Sequence, residues 1–422
     1  MSTASHKSSR TIVTILVGAV FVLAGVSLFQ TVLPIRAGIE AFSTKLVGFL
    51  GTAYFGGFIA GCLFGPWLVR TVGHIRAFSG VAALTAALTL VFPVLPNIYL
   101  WIGLRFLSGL TLSIVFMVME SWLNDQSDNH NRGRILSVYI IVANVATMAG
   151  QLMVNAADPA APTLFGIVTI LLCLAVVPLA LTPTSEPPPI PTARLELSDL
   201  MSISPAGTIG CFLVGAVEGA FWTLGPVFGQ LRGMSVFEVT VIMAAFVLGG
   251  TLSQWPLGRW SDQMDRRLVL LPTAAGCVGT GLLIALWSPS SFAGVFALAA
   301  LHGALMVPLY ALCLAHANDS IPTEKLVQTS GGLLLIYSIG AAIGPFAAAM
   351  VMDVADEGGL FLFISAAMGL FALFITFRLL FGPKRTQSDR SPFAPLVKTS
   401  QSVFELEVDD EEPEASANGE RL

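Results

Sequence analysis

A single glutamate deep in an apolar run is the residue of this sequence with the plainest chemical promise. Glu218 stands about fourteen residues into the run 204–230, near the middle of any helix that run could make. Gly215, Gly219, Trp222 and Pro226 share its face at helical spacing. Burial disfavours the charged form of a carboxyl, so an acid at that depth suits proton exchange or the binding of a cation. Trp222, one turn on, can cover the acid and offer an aromatic surface to a solute. The competing reading is a neutral, hydrogen-bonded glutamic acid with a structural role alone.

Arg105 is the matching oddity of opposite sign. It lies about seven residues into the run 98–123, where an unshielded guanidinium costs roughly 2.5–3.5 kcal/mol on insertion scales. Gly109 and Ser113 follow at one and two turns, which predicts that Arg105 faces protein or water. An anion contact, a modulator of proton release and a structural arginine bonded to carbonyls all fit. Gln30, Asn144, His302 and Tyr337 sit at similar depth, with Tyr310 and Gln254 closer to one end. His302 reads either as a titrating group or as a core histidine. Together these residues would give a mostly apolar cavity a modestly polar lining.

The elements that must position them are transmembrane helices. The chain is 55% hydrophobic and 11% charged, against roughly 25% charged in soluble domains. Its mean hydropathy is +0.80. A spanning helix needs roughly 20 apolar residues. Candidate runs cover 11–34, 45–69, 75–95, 98–123, 134–157, 162–182, 204–230, 236–258, 268–288, 290–316, 325–352 and 356–382. Backbone in hydrocarbon must satisfy its own hydrogen bonds, so runs of this length are helices and not barrel strands.

These runs divide the chain into an N-terminal bundle, 1–182, a linker, 183–203, a C-terminal bundle, 204–382, and a tail, 383–422. The linker holds Ser185-Glu-Pro-Pro-Pro-Ile-Pro191, which cannot continue a helix. The tail is acidic between Glu405 and Glu414 and has few apolar residues, so it is expected to be disordered and cytoplasmic. No small-x-small cleavage site follows the first run, which is expected to be retained. Basic residues crowd one set of connecting segments, including Arg70, Arg76, Arg132, Arg134, Arg266 and Arg267, which predicts both termini inside.

The runs repeat. Asn124-Asp125 recurs as Asn318-Asp319, Gly109 as Gly303 and Gly150 as Gly344, all at an offset of 194. Gly57 matches Gly250 and Gly65 matches Gly258 at 193, and Thr31-Val-Leu-Pro34 matches Thr223-Leu-Gly-Pro226 at 192. Two similar halves of six helices are the mark of parallel-repeat carriers, which hold solute between the halves.

Several chemistries are excluded. There is no P-loop, no His-x-x-x-His pair, no aspartate-rich diphosphate site and no serine elbow. Cys62, Cys173, Cys211, Cys277 and Cys313 lie inside apolar runs without ligand spacing. An enzyme, a metal and a cofactor are not expected, and no basic face suggests nucleic acid.

The connecting loops carry family features. Gly258-Arg-Trp-Ser-Asp262-Gln-Met-Asp265-Arg266-Arg267 resembles the major facilitator signature G-x-x-x-D-x-x-G-R-[RK], with Asp265 in place of the second glycine. The equivalent first-half loop runs from Gly65 through Arg70 to Arg76 and lacks the aspartate. Arg105-Phe-Leu-Ser-Gly109 resembles the family's R-x-x-x-G element, and Arg132-Gly-Arg134 resembles the loop before helix 5. Glu120-Ser-Trp-Leu-Asn-Asp125 resembles the YcaD-like branch. Gly340-Ala-Ala-Ile-Gly344-Pro345 resembles an element that drug/proton antiporters place in helix 5, but helix 5 here lacks the proline, which argues against drug antiport.

The resemblance covers roughly residues 11–382. It implies an all-α membrane protein with two pseudo-symmetric six-helix bundles rocking about a central cavity. Gly258, Asp262, Arg266 and Arg267 would form a cytoplasmic latch, with Gly65 and Arg70 a weaker counterpart and Glu120 pairing with Arg132 or Arg134. The expected activity is secondary transport of a small amphipathic or apolar solute, coupled to protons. The setting would be the bilayer of a bacterial inner membrane, and the protein a monomer. A lipid scramblase, a membrane-embedded enzyme and a transport-dead sensor or scaffold are the other readings.

Overall fold

The computed structural model describes residues 2–126, 132–181, 197–286, 291–319 and 326–381. The first six long helices are α1 (Ser2–Ile39), α2 (Thr44–Val72), α3 (His74–Val94), α4 (Ile98–Asp125), α5 (Arg132–Leu152) and α6 (Thr163–Leu181). A short helix, α7 (Leu197–Ile203), precedes α8 (Pro205–Leu231), α9 (Val236–Gln263) and α10 (Arg266–Leu286). Then come α11 (Phe292–Met306), α12 (Leu309–Asn318), α13 (Leu326–Ala355) and α14 (Gly359–Phe381). No strand occurs among the described residues.

Local chemistry sets the ends of these helices. Asn97 accepts from the backbone N–H groups of Tyr99 and Leu100 at the start of α4. Ser204 caps α8, with Pro205 at the first helical position, where its missing N–H costs nothing. Ser235 and Glu238 form a capping box at α9. Gly73 alone separates α2 from α3, and its φ of 85° is a conformation that suits glycine.

Among the described residues, eleven stretches are long and apolar enough to cross a bilayer. One of them, 329–381, has 53 residues and contains both α13 and α14. A straight helix of that length would reach about 80 Å, far beyond a hydrocarbon core of about 30 Å. The short 3-10 turn Asp356–Gly358 reverses the chain and α14 packs back on α13, so the crossings number twelve. The tenth run is a broken helix. Pro308 has no N–H to continue the ladder, and α11 stops at Met306 before α12 resumes at Leu309. The linker is helical at its end, where Leu200 of α7 packs on Gly332. Residues 182 and 382, the linker's 183–196, Arg132's side chain and the tail 383–422 lie outside the described parts.

Twelve alternating crossings place the start of α1 and the end of α14 on one face, the terminus-side face. Within the first six helices α1 packs on α5 and α6, α2 on α4, and α3 on α4 and α6. The last six repeat the pattern, with α8 on α13 and α14, α9 on α11, and α10 on α14 and α11. The glycines show why. Cβ atoms added at Gly57 and Gly109 would fall 1.8 and 1.9 Å from backbone carbonyls across the α2–α4 contact. Gly249 and Gly303 do the same across α9–α11, at 1.8 and 2.0 Å. Gly150 meets Ala24 on α1 as Gly344 meets Ala216 on α8. The structural partner of Gly57 is thus Gly249, while Gly250 touches the Val307 side chain. The two sets of helices meet where α2 packs on α13, α5 on α9, and α8 on α1 and α2.

Candidate solute cavity and its closures

A cavity of about 240 Å³ lies where the two sets of helices meet. The first six helices supply Ser27, Gln30 and Thr31 from α1, Tyr54, Phe55 and Phe58 from α2, and Asn144 and Thr147 from α5. The last six supply Glu218 and Trp222 from α8, Gln254 from α9, Val307 from the helix break, and Tyr337 and Ser338 from α13. Among these lining residues Glu218 alone is an acid, and no lysine or arginine joins it.

Glu218 is 3% exposed, and the Tyr337 hydroxyl donates to its Oε2 at 2.7 Å. The ring of Tyr310, fully buried on α12, stands edge-on to Tyr337 with centroids 4.9 Å apart. Tyr310 stands in the first turn of α12, just past the break at Val307-Pro308. α8 and α13 approach closely here, since Gly215 and Gly219 lie directly against the backbone of Tyr337 and Ala341. Trp222 packs edge-on to Phe246, at 5.8 Å and 89°. On the facing wall Gln30 Nε2 donates to the Tyr54 hydroxyl at 3.4 Å, and Ser27 Oγ donates to the Thr147 carbonyl at 2.7 Å.

Two candidates stand apart from the cavity wall. Arg105 is 6% exposed and sits behind Tyr54, its guanidinium 4.4 Å from the Tyr54 ring centroid and 5.2 Å from that of Phe29. Cation–π attraction over two rings is the shielding available to it. His302 lies in a separate apolar chamber with Phe221, Phe246 and Phe361. Thr280 Oγ1 lies 2.8 Å from His302 Nδ1 and 3.0 Å from the Gly276 carbonyl.

The loop candidates form a dense charge cluster in one half. Arg266 has no exposed side-chain surface and donates to Asp319 at 2.9 Å, Ser261 at 3.0 Å and Asp262 at 3.2 Å. Arg267 pairs with Asp265 at 2.7 Å and donates to the Arg378 carbonyl at 2.9 Å, tying the loop to α14. Burial works against charge on Asp265. The hydrogen bonds donated by the Arg267 side chain and backbone, with the guanidinium charge, outweigh it and hold the carboxyl below its ordinary range. Gly258 is buried near the end of α9.

The first half differs. Gly65 packs on Met117 and Ile114, while Arg70 and Arg134 are exposed. Glu120 is fully buried and accepts from the Tyr139 hydroxyl at 3.2 Å. His74, 3% exposed, lies 3.4 Å from Ser121 Oγ.

Away from the termini the molecule is shut. Lys45 of α2 pairs with Asp353 of α13 at 2.7 Å, and Thr52 Oγ1 donates to the Ala342 carbonyl at 2.7 Å. Gln230 Nε2 donates to the Ile35 carbonyl at 3.0 Å, and Asn155 Nδ2 to Thr240 Oγ1 at 2.7 Å. Gly48 and Gly51 let α2 approach α13 and α8 closely, since a Cβ on either would strike Ala349, Thr223 or Pro345. Toward the terminus-side face the helices part. A second hollow of about 320 Å³ between α5 and α9 shares Ile140 and Gln254 with the central cavity. Sequence reasoning missed Tyr54, Phe55 and Phe58, because an aromatic on a spanning helix carries no mark of whether it faces lipid or cavity. It missed the Lys45–Asp353 pair because the partners sit at the ends of helices from different halves.

The comparisons with known proteins agree with this architecture. The family model described as Major Facilitator Superfamily matches residues 15–240 and 207–408. The MFS-type transporter YcaD of Salmonella arizonae is 28% identical over 369 residues, 87% of this chain and 95% of that one. The YcaD of Salmonella typhimurium is 27% identical over the same shares. Among solved structures, the nucleoside transporter NupG superposes with a TM-score of 0.70 at 12% identity, over 89% of this chain and 99% of that one. A bacterial homologue of the human lysosomal transporter Spinster, inward-facing and occupied, gives 0.68 at 14% identity, over 92% and 99%. With its twelve crossings, its repeated helix contacts and a family match spanning both halves, this chain belongs to the major facilitator superfamily and is a multi-pass membrane transport protein.

Proposed function

We propose that the protein is a proton-coupled secondary transporter of a small amphipathic or apolar solute, working by alternating access, with Glu218 as the coupling acid. The observation that carries this reading is the lining of the central cavity, mostly apolar and neutral-polar with one acid, Glu218, held by Tyr337. A group that exchanges a proton inside the solute cavity lets solute and proton compete for, or share, one site. Trp222, Gln30, Asn144 and Tyr337 orient the solute, while Arg105, His302 and Tyr310 act behind the wall.

In this reading residues 1–182 and 204–382 are the two moving bundles, joined by 183–203, with 383–422 as a tail. The cluster of Gly258, Asp262, Arg266 and Arg267 latches the terminus-side face when it closes, helped by Gly65, Arg70, Glu120, Arg132 and Arg134. Both termini are cytoplasmic, the membrane is a bacterial inner membrane, and the working unit is a monomer.

Solutes that raise the melting temperature of the purified protein identify the cargo class. Their uptake into vesicles is then driven by an imposed pH gradient. Glu218→Gln is expected to lower gradient-driven accumulation at least tenfold while solute exchange without a gradient continues. Unchanged accumulation in that variant, or dependence on Na⁺ with no effect of pH, rules out the coupling role.

A further inference from the structure

The hollow between α5 and α9 adjoins the central cavity on one side. Its floor is Ile140, Thr251 and Gln254, the first and last continuous with the central cavity or part of it. Its rim carries Ile141 and Trp255, 59% and 73% exposed. Trp255 is eight residues from the end of α9 and Ile141 nine from the start of α5, hence about 12–14 Å in from the helix ends along the axis. Large apolar side chains exposed at that depth give the hollow a rim suited to hydrocarbon. Nearer the face, Arg259 lies beside the Trp255 ring at 5.9 Å, about 6 Å from the helix end and thus at headgroup depth. Asn155, in the turn after α5, ties that end to Thr240 of α9 at the far face, and the hollow lies between the two helices nearer the terminus-side face.

We infer that the solute passes sideways from the terminus-side leaflet, between α5 and α9, into the central cavity, and that it is a membrane-partitioning amphipath with a cationic head. The route follows from the shared residues Ile140 and Gln254 and the exposed apolar rim. The head group follows from the cavity, whose one ionisable acid is Glu218 and whose walls are otherwise neutral. An apolar tail lies against Phe55, Phe58 and Trp222 while an ammonium meets Glu218 in its deprotonated form; an anionic head would enter against that charge, with the Arg105 guanidinium set behind the Tyr54 ring. This inference rests on the transporter reading for its direction of travel, but its geometry does not need proton coupling.

The test uses the full chain in phospholipid vesicles containing a diazirine-bearing long-chain amine, with the matching diazirine fatty acid as second probe. After illumination, adducts are mapped by mass spectrometry. The amine is expected to label Ile140, Thr251 and Gln254 in the passage and Trp222 or Tyr337 in the cavity, with labelling reduced at least fivefold by excess unlabelled amine. The fatty acid is expected to leave the cavity residues unlabelled. Adducts confined to outward residues such as Val145, Leu248 and Leu252 overturn the passage. Equal cavity labelling by both probes overturns the cationic head. Passage labelling that survives in Glu218→Gln, alongside lost proton coupling, keeps this inference separate from the coupling role, and passage labelling absent from a coupled wild type sinks it alone.

Discussion

At the ends of α9 and α10, Arg266 is wrapped by Asp262, Ser261 and Asp319 with no exposed surface, whereas the matching corner of α2 and α3 holds Gly73, an exposed Arg70 and a buried His74. The scaffolds behind these corners are alike. Gly57 and Gly109 bring α2 and α4 together as Gly249 and Gly303 bring α9 and α11. The same contrast recurs mid-membrane. The first half buries a cation, Arg105, behind Tyr54 and Phe29, and the second presents an acid, Glu218, to the cavity. Backbone contacts leave no freedom, because any side chain there would collide. Polar corners leave much, because a charge cluster can be kept in one repeat and replaced by burial in the other.

The largest effect should come from breaking the ion cluster. Arg266→Ala removes the guanidinium paired with Asp319, which is 8% exposed, and breaking a buried pair costs about 3–5 kcal/mol. Arg70→Ala, at an exposed position, should cost about 0–1 kcal/mol. Melting curves of the two purified variants check this, and equal losses would erase the asymmetry.

The glycine contacts should behave in the opposite way, symmetrically. Gly109→Val and Gly303→Val force a Cβ against the Tyr54 and Phe246 carbonyls, and each should lower stability by about 1–3 kcal/mol. A loss in one half without the other would show that the repeat is not shared where the backbones touch.

The smallest effect concerns Asp265, which has no counterpart beside Gly73. Its carboxyl is held below the ordinary aspartate value of about 3.9. The stability it adds is present above that value and is lost as pH falls through the lower folded one. Wild type should therefore be the more stable at neutral pH, and its margin over Asp265→Asn should narrow below about pH 4 in melting curves. A margin constant across that range would assign Asp265 no electrostatic role.

Much of this was legible in the residues and some was not, for definite reasons. Hydropathy marks spanning helices because lipid penalises every exposed polar group, so the crossings could be read directly. Glu218 and Tyr337 each announced themselves as polar groups in apolar runs. Their hydrogen bond could not be read, because the two lie 119 residues apart and the bond depends on the register of α8 against α13. Arg105 could be turned inward by its neighbours Gly109 and Ser113, but its cover by Tyr54 and Phe29 comes from two other helices. The break in the tenth run had a visible signal in Pro308, masked by the unbroken hydropathy around it. The match of Gly57 to Gly250 missed by one residue because adjacent glycines, Gly249 and Gly250, satisfy almost the same offset while only the first faces a backbone.

Alternating access requires that the seal between α2 and α13 open during each cycle. A Cβ built on Gly48 lies 2.7 Å from that of Ala349, so a parting of about 1 Å between α2 and α13 brings a cysteine pair to the separation of about 3.5–4.5 Å that a disulfide spans, with the seal otherwise kept shut. Gly48→Cys with Ala349→Cys, oxidised in vesicles and compared with each single variant, is therefore the most direct measurement. Uptake of a solute identified by thermal stabilisation should stop on oxidation and return on reduction. Uptake that continues at the reduced rate with the bond formed would contradict the account.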